Sequence, residues 1–592
     1  FVLSAGHGSM LIYSLLHLTG YDLSLDDIKN FRQWGSKTPG HPENHLTAGV
    51  EMATGPLGQG ISTALGMALA ERFLSAKFGD SLIDHFTYVI ASDGDLMEGV
   101  ALESCSFAGH QKLGKLIVLF DDNDITIDGR AKESNSDDMA AKFQAMGWHT
   151  ASVDGMDAEA VSAKIEAAKA EDRPSLILCK TTIGFGSPNK ADSPSSHGAA
   201  LGNDEVTLSK QQLGMPEEQF HVPGEVATHM GQAVEDGQRA QSEWENRVAQ
   251  FCTENPEQGA FLKACLNNDW SEAWVDSLPE FGDSVATRGA SGTILNEVAR
   301  ANPTLVSGCA DLAGSVKTDI KNGGTMQVES PEGRNVRYGI REHAMGAIVN
   351  GMTLHGGVKP FGGTFLIFSD YCRPSLRLAA LMECPSLFLF SHDSIGLGED
   401  GPTHQPIEQT MSMRLIPNFN LMRPADARET VACWQVAMES KTTPCAILLT
   451  RQNVPTVTPG DFTAHPAKKG AYVLHEAEAS PSVILVATGS EVGLALEAAE
   501  VLESEGVPAR VVSMPSWHLF EEQGEAYRES VLPGDVPTVS IEAGTTIGWQ
   551  KYADTHVGID HFGASAPAEK LFEEFGFTVE NVVETTKKLL SS

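Results

Sequence analysis

The sequence predicts an α/β protein of three domains, built mainly from parallel sheets flanked by helices, and three observations predict it. The chain has 592 residues, several times the length of an ordinary single domain. From Thr54 onward, short β-rich runs alternate with longer stretches of helical periodicity, the pattern of helices layered on parallel sheets. That alternation is interrupted over 205–283 by a polar stretch rich in Glu and Gln, with helical spacing and no strand runs, which reads as a helical linker. The expected division is therefore 1–204, 205–283, 284–460 and 461–592.

In the first domain, 86–92 reads as a buried strand, 97–110 as a helix and 115–120 as the next strand, one βαβ unit. In the second, 304–308, 387–390 and 445–450 are strand candidates, each ending beside polar or charged residues, where open α/β sheets place their ligands. A Pro- and Gly-containing connection over 458–469 leads to a third domain, with strands over 483–487 and 510–513 and a helix over 492–504. There is no short-period repeat and no long low-complexity tract.

Hydrophobic residues make up 41% of the chain and charged residues 20%, the balance of a soluble globular protein. With 78 acidic against 42 basic side chains, the net charge is -36, so the average surface should repel nucleic acid and anionic membranes. An anionic ligand must then be met by a local basic pocket. No apolar stretch approaches the roughly 20 residues of a bilayer span. Nine cysteines without a CxxC pair are expected to be reduced, mostly buried thiols, which points to the cytoplasm. Residues 1–10 have no basic start followed by an apolar stretch, so they are not expected to be a signal peptide; the chain is expected to begin inside a domain.

The first chemical signal is a spacing. Asp93 follows one strand and Asn123 the next, thirty positions later, so a parallel crossover would bring both to the same sheet edge. A carboxylate and an amide converging there suit Mg²⁺ shared with a diphosphate, and Gly94 lets the backbone approach closely. Alone, an Asp-Gly turn needs no ligand; the joint spacing argues for one. Upstream, Gly55-Pro56-Leu57-Gly58-Gln59-Gly60 precedes a helix with apolar residues at Ile61, Ala64, Leu65, Ala68 and Leu69, a start that can offer amide groups to an anion. Histidines stand beside Gly, Ser or Pro in loops at His7, His41 and His197. Residues 392–406 read His-Asp-Ser-Ile-Gly-Leu-Gly-Glu-Asp-Gly-Pro-Thr-His-Gln-Pro, a Gly-rich loop after a strand whose two histidines and several carboxylates packing does not explain; a flexible metal-binding loop is its bottom-up rival.

These segments resemble the transketolase family, from Phe1 to about Leu590 and in order. The resemblance implies the thiamine diphosphate-binding fold plus a C-terminal α/β domain: an N-terminally incomplete diphosphate domain over 1–204, a pyrimidine domain over 284–460 and a C-terminal domain over 461–592. Asp93 and Asn123 match the acidic GDG…N motif, with Ser92 where its first glycine stands, and imply Asp93, Asn123 and the Ile125 carbonyl as ligands of Mg²⁺, for which Ca²⁺ or Mn²⁺ can substitute. GPLGQG matches the family loop word for word and implies that Gly55, Pro56 and Leu57, with Gly94, line thiamine diphosphate. His7, His41 and His197 match segments around the diphosphate and the sugar.

The segment Tyr338-Gly339-Ile340-Arg341-Glu342-His343-Ala344-Met345-Gly346 implies Glu342 as the acid that polarises the aminopyrimidine so that the thiazolium carbon can lose its proton, a role suited to a buried carboxyl held neutral. From the residues alone, Glu342 is equally a helix-start Glu paired with Arg341. Phe365, Phe368 and Tyr371, three apart, would ordinarily be core; the resemblance implies stacking on the cofactor ring, with Asp311 near the thiazolium. It further implies His392, Asp400 and His404 for the sugar and its protons, and Arg288, Arg451 and Ser315 for the phosphate, Gly314 standing where the family has Pro. Arginine suits this by offering two parallel donors. The implied catalytic set is Glu342, His404, His41 and His197, in a homodimer with active sites at the subunit interface.

The implied activity is reversible transfer of a two-carbon ketol group from xylulose 5-phosphate to ribose 5-phosphate or erythrose 4-phosphate, the chemistry of the pentose phosphate pathway and the Calvin cycle. 1-Deoxyxylulose-5-phosphate synthase, a formaldehyde-using transketolase and a binding protein on an inactive transketolase fold are the alternatives. The family's segment before Phe1, with a Ser-Gly-His-Pro-Gly loop, has no counterpart here: either the chain is a fragment or the protein works without it, and activity is expected to be lower than in a complete relative.

Overall fold

Runs such as Leu-Phe-Leu-Phe at 387–390 and Val-Ile-Leu-Val-Ala at 483–487 are apolar at every position, which a strand tolerates only when both its faces are covered. The computed structural model of the chain, which describes residues 1–462 and 464–592, covers them with helices on parallel sheets. The described chain forms two units: Phe1–Asn268 with Gln327–Glu332 and Ala347–Val358, and Asp269–Met326 with Gly333–Gly346 and Lys359–Ser592.

The first unit holds β1 (Val2–Leu3), β2 (Thr87–Ser92), β3 (Leu116–Asp122), β4 (His149–Asp154) and β5 (Ser175–Lys180) in one parallel sheet of order β1-β2-β3-β5-β4. The helix Gln59–Phe78 is buried almost all round, as its lack of a polar face requires. The helix expected over 97–110 is two, Asp93–Met97 and Gly99–His110, because Glu98 is extended (φ -66°, ψ 138°). The break lets helical backbone begin directly at Asp93, where a Ser92–Asp95 capping box closes its first turn. The polar stretch expected as a linker forms the helices Asn203–Gln212, Gly224–Glu254 and Pro256–Leu266. They pack within this unit: Trp244 Nε1 donates to Leu82 O at 2.8 Å, and the rings of Phe78 and Phe261 lie 5.5 Å apart.

The second unit contains the short antiparallel pair β6 (Ser284–Val285) and β13 (Val454–Pro455) and two larger sheets. The six-stranded sheet is parallel throughout: β7 (Leu305–Cys309), β8 (Asn335–Arg337), β9 (Lys359–Phe365), β10 (Leu387–Ser391), β11 (Asn420–Met422) and β12 (Cys445–Leu449), in the order β11-β12-β10-β9-β7-β8. The five-stranded sheet joins β14 (Tyr472–His475), β15 (Val483–Ala487), β16 (Ala509–Ser513), β17 (Thr538–Ile541) and β18 (Thr555–Val557) in the order β14-β16-β15-β17-β18, with β14 antiparallel. Each has its own core, around Trp434 and Phe361 in the first and Leu485, Val511 and Ile541 in the second. Among the described residues no helix is long and apolar enough to cross a membrane. The nine cysteines stand as thiols outside any disulfide, and all but Cys252 are buried.

Candidate functional site

In the first unit the sheet's carboxyl edge collects carboxylates. Ser92 pairs with Asp121 across β2 and β3, so Asp93 and the Asp122–Asn123 turn leave the same edge side by side. Asn123 Nδ2 donates to Asp121 Oδ2 at 2.9 Å, and its Oδ1 accepts the Ile125 amide at 2.9 Å. Asp93 Oδ2 is buried without a hydrogen-bond partner among the described residues. Burial, then the charges of Asp122, Asp121 and Asp124, push the Asp93 carboxyl up to about 7. A carboxylate in that position is deficient in positive charge, which a divalent cation would supply. Among the described residues no three His, Cys, Asp or Glu are grouped to hold a metal alone; a set of one carboxylate, one amide and one backbone carbonyl leaves room for diphosphate oxygens.

Around this edge the loops interlock. A β-carbon on Gly94 would lie 2.8 Å from Leu57 Cδ1, and one on Gly55, at φ 129°, would lie 3.1 Å from the His41 ring. The glycines therefore bring the 55–58 loop against the Asp93 turn and against His41. The His7 ring stacks on His197 at 4.7 Å. Burial lowers the pKa of His7, His41 and His197, keeping these rings neutral near pH 7 and able to accept protons.

The second unit presents the opposite chemistry at the carboxyl edge of its parallel six-stranded sheet. Phe365 ends β9 and pairs with Ser391 at the end of β10, so His392 leaves beside it and stacks on its ring at 3.7 Å. The three aromatics, expected at helical spacing, instead straddle a strand end, a turn and a helix: Phe365 on β9, Phe368 in Leu366–Phe368 and Tyr371 in Ser369–Leu381. Their rings still form a chain, Phe365 to Phe368 at 5.9 Å and Phe368 to Tyr371 at 6.1 Å, with His404 edge-on to Phe368 at 5.5 Å. Arg288 Nη1 donates to the Ser315 carbonyl at 2.8 Å, so Ser315 meets the arginine through its backbone. Burial, then Arg288, Arg451 and His404, drive the His392 pKa down to about 3, which marks one basic cluster around a neutral imidazole. Asp311, at φ 59° after β7, and Glu342, first residue of the helix Glu342–His355 and 8% exposed, follow strands of the same edge. Asp400 is exposed in the loop beyond.

Two groups escaped the reading of the sequence. Asp95, fully buried, accepts from Ser4 Oγ (2.7 Å), Gly58 N (2.9 Å) and Ser92 N (3.0 Å), tying three loops of the acidic edge together. Its signal was present, a second carboxylate two residues after Asp93 inside an Asp-Gly-Asp turn. The other is the ion-pair network through Asp393 and Arg423, whose members have no local pattern.

Comparison with known proteins matches three domain models in order along the chain. The transketolase thiamine diphosphate binding domain matches residues 1–270, the transketolase pyrimidine binding domain 283–457 and the transketolase-like C-terminal domain 470–578. The chain is 52% identical over 604 residues to the transketolase of Halalkalibacterium halodurans, covering all of this chain and 91% of that one. It is likewise 52% identical over 605 residues to that of Geobacillus stearothermophilus, with the same coverage. The solved transketolase from Leishmania mexicana superposes with a TM-score of 0.97 at 43% identity, over 100% of this chain and 89% of that one. A transketolase from Pichia stipitis in complex with sedoheptulose 7-phosphate does so with the same values. Fold and matches define a thiamine diphosphate-dependent enzyme of the transferase class. The chain belongs to the transketolase family, whose reaction is the transfer of a two-carbon ketol group between sugar phosphates.

Proposed function

We propose that this enzyme takes the two-carbon unit from xylulose 5-phosphate and delivers it to ribose 5-phosphate or erythrose 4-phosphate, as a cytoplasmic homodimer with thiamine diphosphate and Mg²⁺. The observation that carries the reading is the cluster of Phe365, His392, His404, Arg288 and Arg451 at one sheet edge: an aromatic wall, neutral imidazole and two guanidinium groups in a chain of net charge -36. Such a cluster fits a phosphorylated polyol bound against a ring. The sugar phosphate in the Pichia stipitis complex is a product of the proposed reaction, and supports it.

The donor set of the acidic edge fits the metal and the diphosphate. Asp93, Asn123 and the Ile125 carbonyl would hold Mg²⁺, with Ca²⁺ or Mn²⁺ as substitutes, and the orphaned Asp93 oxygen is the group that needs it. Gly55, Pro56, Leu57, Gly94 and His7 would line the diphosphate. Thiamine diphosphate, when bound, supplies a carbon nucleophile able to accept and release the ketol unit.

The residues then divide the remaining work. The Glu342 carboxyl, 8% exposed, would hold a proton against the aminopyrimidine ring, Phe365, Phe368 and Tyr371 would stack on the cofactor ring, and Asp311 would lie near the thiazolium. Arg288, Arg451 and Ser315 would clamp the phosphate, and Asp400 would complete the polar contacts along the sugar. The neutral rings of His41 and His197, with His404, would accept and return the hydroxyl protons as the carbon–carbon bond breaks and reforms, and His392 would bind the sugar. The acidic and the basic half-sites lie in different units of the chain, in keeping with a homodimer that joins one copy's diphosphate half to the other's pyrimidine half. The test is formation of sedoheptulose 7-phosphate from xylulose 5-phosphate and ribose 5-phosphate, dependent on thiamine diphosphate and Mg²⁺; failure with the cofactor bound would reject these substrates.

A further inference from the structure

In the five-stranded sheet the chain leaves β15 toward β16 and leaves β17 toward β18, on opposite sides. The crevice between the carboxyl ends of such strands is where open α/β sheets receive ligands. Here a side chain of the six-stranded sheet occupies it. Arg423, the residue after β11, is 1% exposed. Its Nη1 donates to Thr488 O at 2.9 Å and to the Glu491 carboxylate, and its Nη2 lies 3.4 Å from Glu491 Oε1. Gly489, at φ 62°, leaves room for it, since a β-carbon there would lie 2.5 Å from Arg423 Cζ. Behind Glu491, Glu542 stands 4.0 Å from Arg423 and is held by two 2.7 Å bonds from Arg414. Burial opposes the charge on Arg423, but Glu491 and Asp393 outweigh it and raise its pKa.

The remaining nitrogen, Nε, donates to Asp393 Oδ2 at 2.8 Å. Asp393 is bonded to His392, whose backbone lies at φ 62°, a conformation that a β-carbon disfavours. One side of that residue is therefore fixed by the Phe365 stack and the other by a carboxylate anchored in the neighbouring sheet. Buried ion pairs add little stability over well-packed apolar groups. An apolar residue at 423 could fill the crevice but could not hold a carboxylate at a fixed point beside a strained histidine. We propose that Arg423 is a positioning residue for ketol transfer, locking the backbone and ring of His392 through Asp393. This rests on the reading of His392 as a sugar-binding residue.

Glu429 offers an internal control. It too is a buried carboxyl bonded to the five-stranded sheet, reaching from the helix Ala427–Glu439 to accept from Tyr472 Oη at 2.9 Å and from Ser513 Oγ, but no residue assigned to the site is attached to it. Steady-state kinetics with the ketose phosphate donor and thermal unfolding would be measured on the holoenzymes of Asp393→Ala, Asp393→Asn, Arg423→Lys, His392→Ala and Glu429→Gln. Asp393→Ala is expected to lower kcat/KM for the donor about tenfold or more, the scale of a small misplacement of a reacting group. Asp393→Asn, which keeps an acceptor for Arg423, should recover part of it, and Arg423→Lys, which keeps the charge without the fork, should fall between. Glu429→Gln should leave donor KM unchanged at an equal or larger loss of melting temperature. If Asp393→Ala and Arg423→Lys lose activity only in step with melting temperature, as the control does, the positioning role is overturned. If His392→Ala leaves donor kcat/KM unchanged, it is the sugar-binding reading that fails, and the proposal falls with it.

Discussion

The two half-sites stand at equivalent places, the carboxyl edges of parallel sheets, and solve the same electrostatic problem in opposite ways. At the edge of β2 and β3 the chain gathers Asp93, Asp121, Asp122 and Asp124, whose mutual repulsion invites an external cation. At the edge of β9, β10 and β12 it supplies its own positive charge through Arg288 and Arg451, with a neutral imidazole between. Under the proposed function each would meet an anion that the protein's overall charge would repel. The difference teaches that one fold edge does not dictate one ligand chemistry: the side chains gathered at the strand ends do.

Three substitutions would break or sharpen that contrast. Glu342→Ala should reduce kcat by roughly a thousandfold, within the range of a lost acid–base group, while thiamine diphosphate and Mg²⁺ still bind by calorimetry. Asp93→Asn should weaken metal binding by about a hundredfold or more, comparable to the largest losses from a metal's supporting groups, and leave isolated phosphate binding at the arginine edge untouched. If phosphate binding fell equally, the two edges would not be independent. Arg451→Leu should raise KM for phosphorylated ketoses about ten- to hundredfold, the worth of one charge-assisted hydrogen bond, with no change for unphosphorylated xylulose.

The smallest effect lies away from both sites. Burial, then Asp426, push the Glu429 carboxyl up to about 7 from 4.5. Between those values the unfolded chain releases the proton first, so the folded state loses stability as pH rises through the window. The melting temperature of the parent protein should therefore drop by a few degrees from pH 5 to 7 relative to Glu429→Gln, whose amide does not titrate. Coincident slopes in differential scanning calorimetry would refute the assignment.

What the sequence made legible was whatever local physics writes sharply. Parallel strands buried on both faces are unbroken apolar runs with polar ends, so 483–487 coincides with β15 and the other six strands read from the sequence shift by one or two residues, while β4, β5, β9 and β17 go unread. The thirty-residue spacing of Asp93 and Asn123 translates directly into the Ser92–Asp121 register. The long helix Gly224–Glu254 buries only Val248, so its pattern reads as a solvated linker and does not announce its seat in the first unit. The split at Glu98 depends on fitting against the 55–58 loop: a β-carbon on Gly58 would lie 2.7 Å from Glu98 Cβ, a contact no window of sequence contains. Arg423 is equally silent, because its partners Asp393 and Glu491 lie 30 and 68 positions away.

The arginine pair has a consequence at the bench. Arg451 is exposed at the mouth of its cluster, and a guanidinium fork takes any tetrahedral oxyanion of suitable size. Inorganic phosphate and sulfate should therefore act as competitive inhibitors against the sugar phosphates, raising their apparent KM without touching kcat. A buffer of zwitterionic amines would report the enzyme's own affinity; one of potassium phosphate would report a competition.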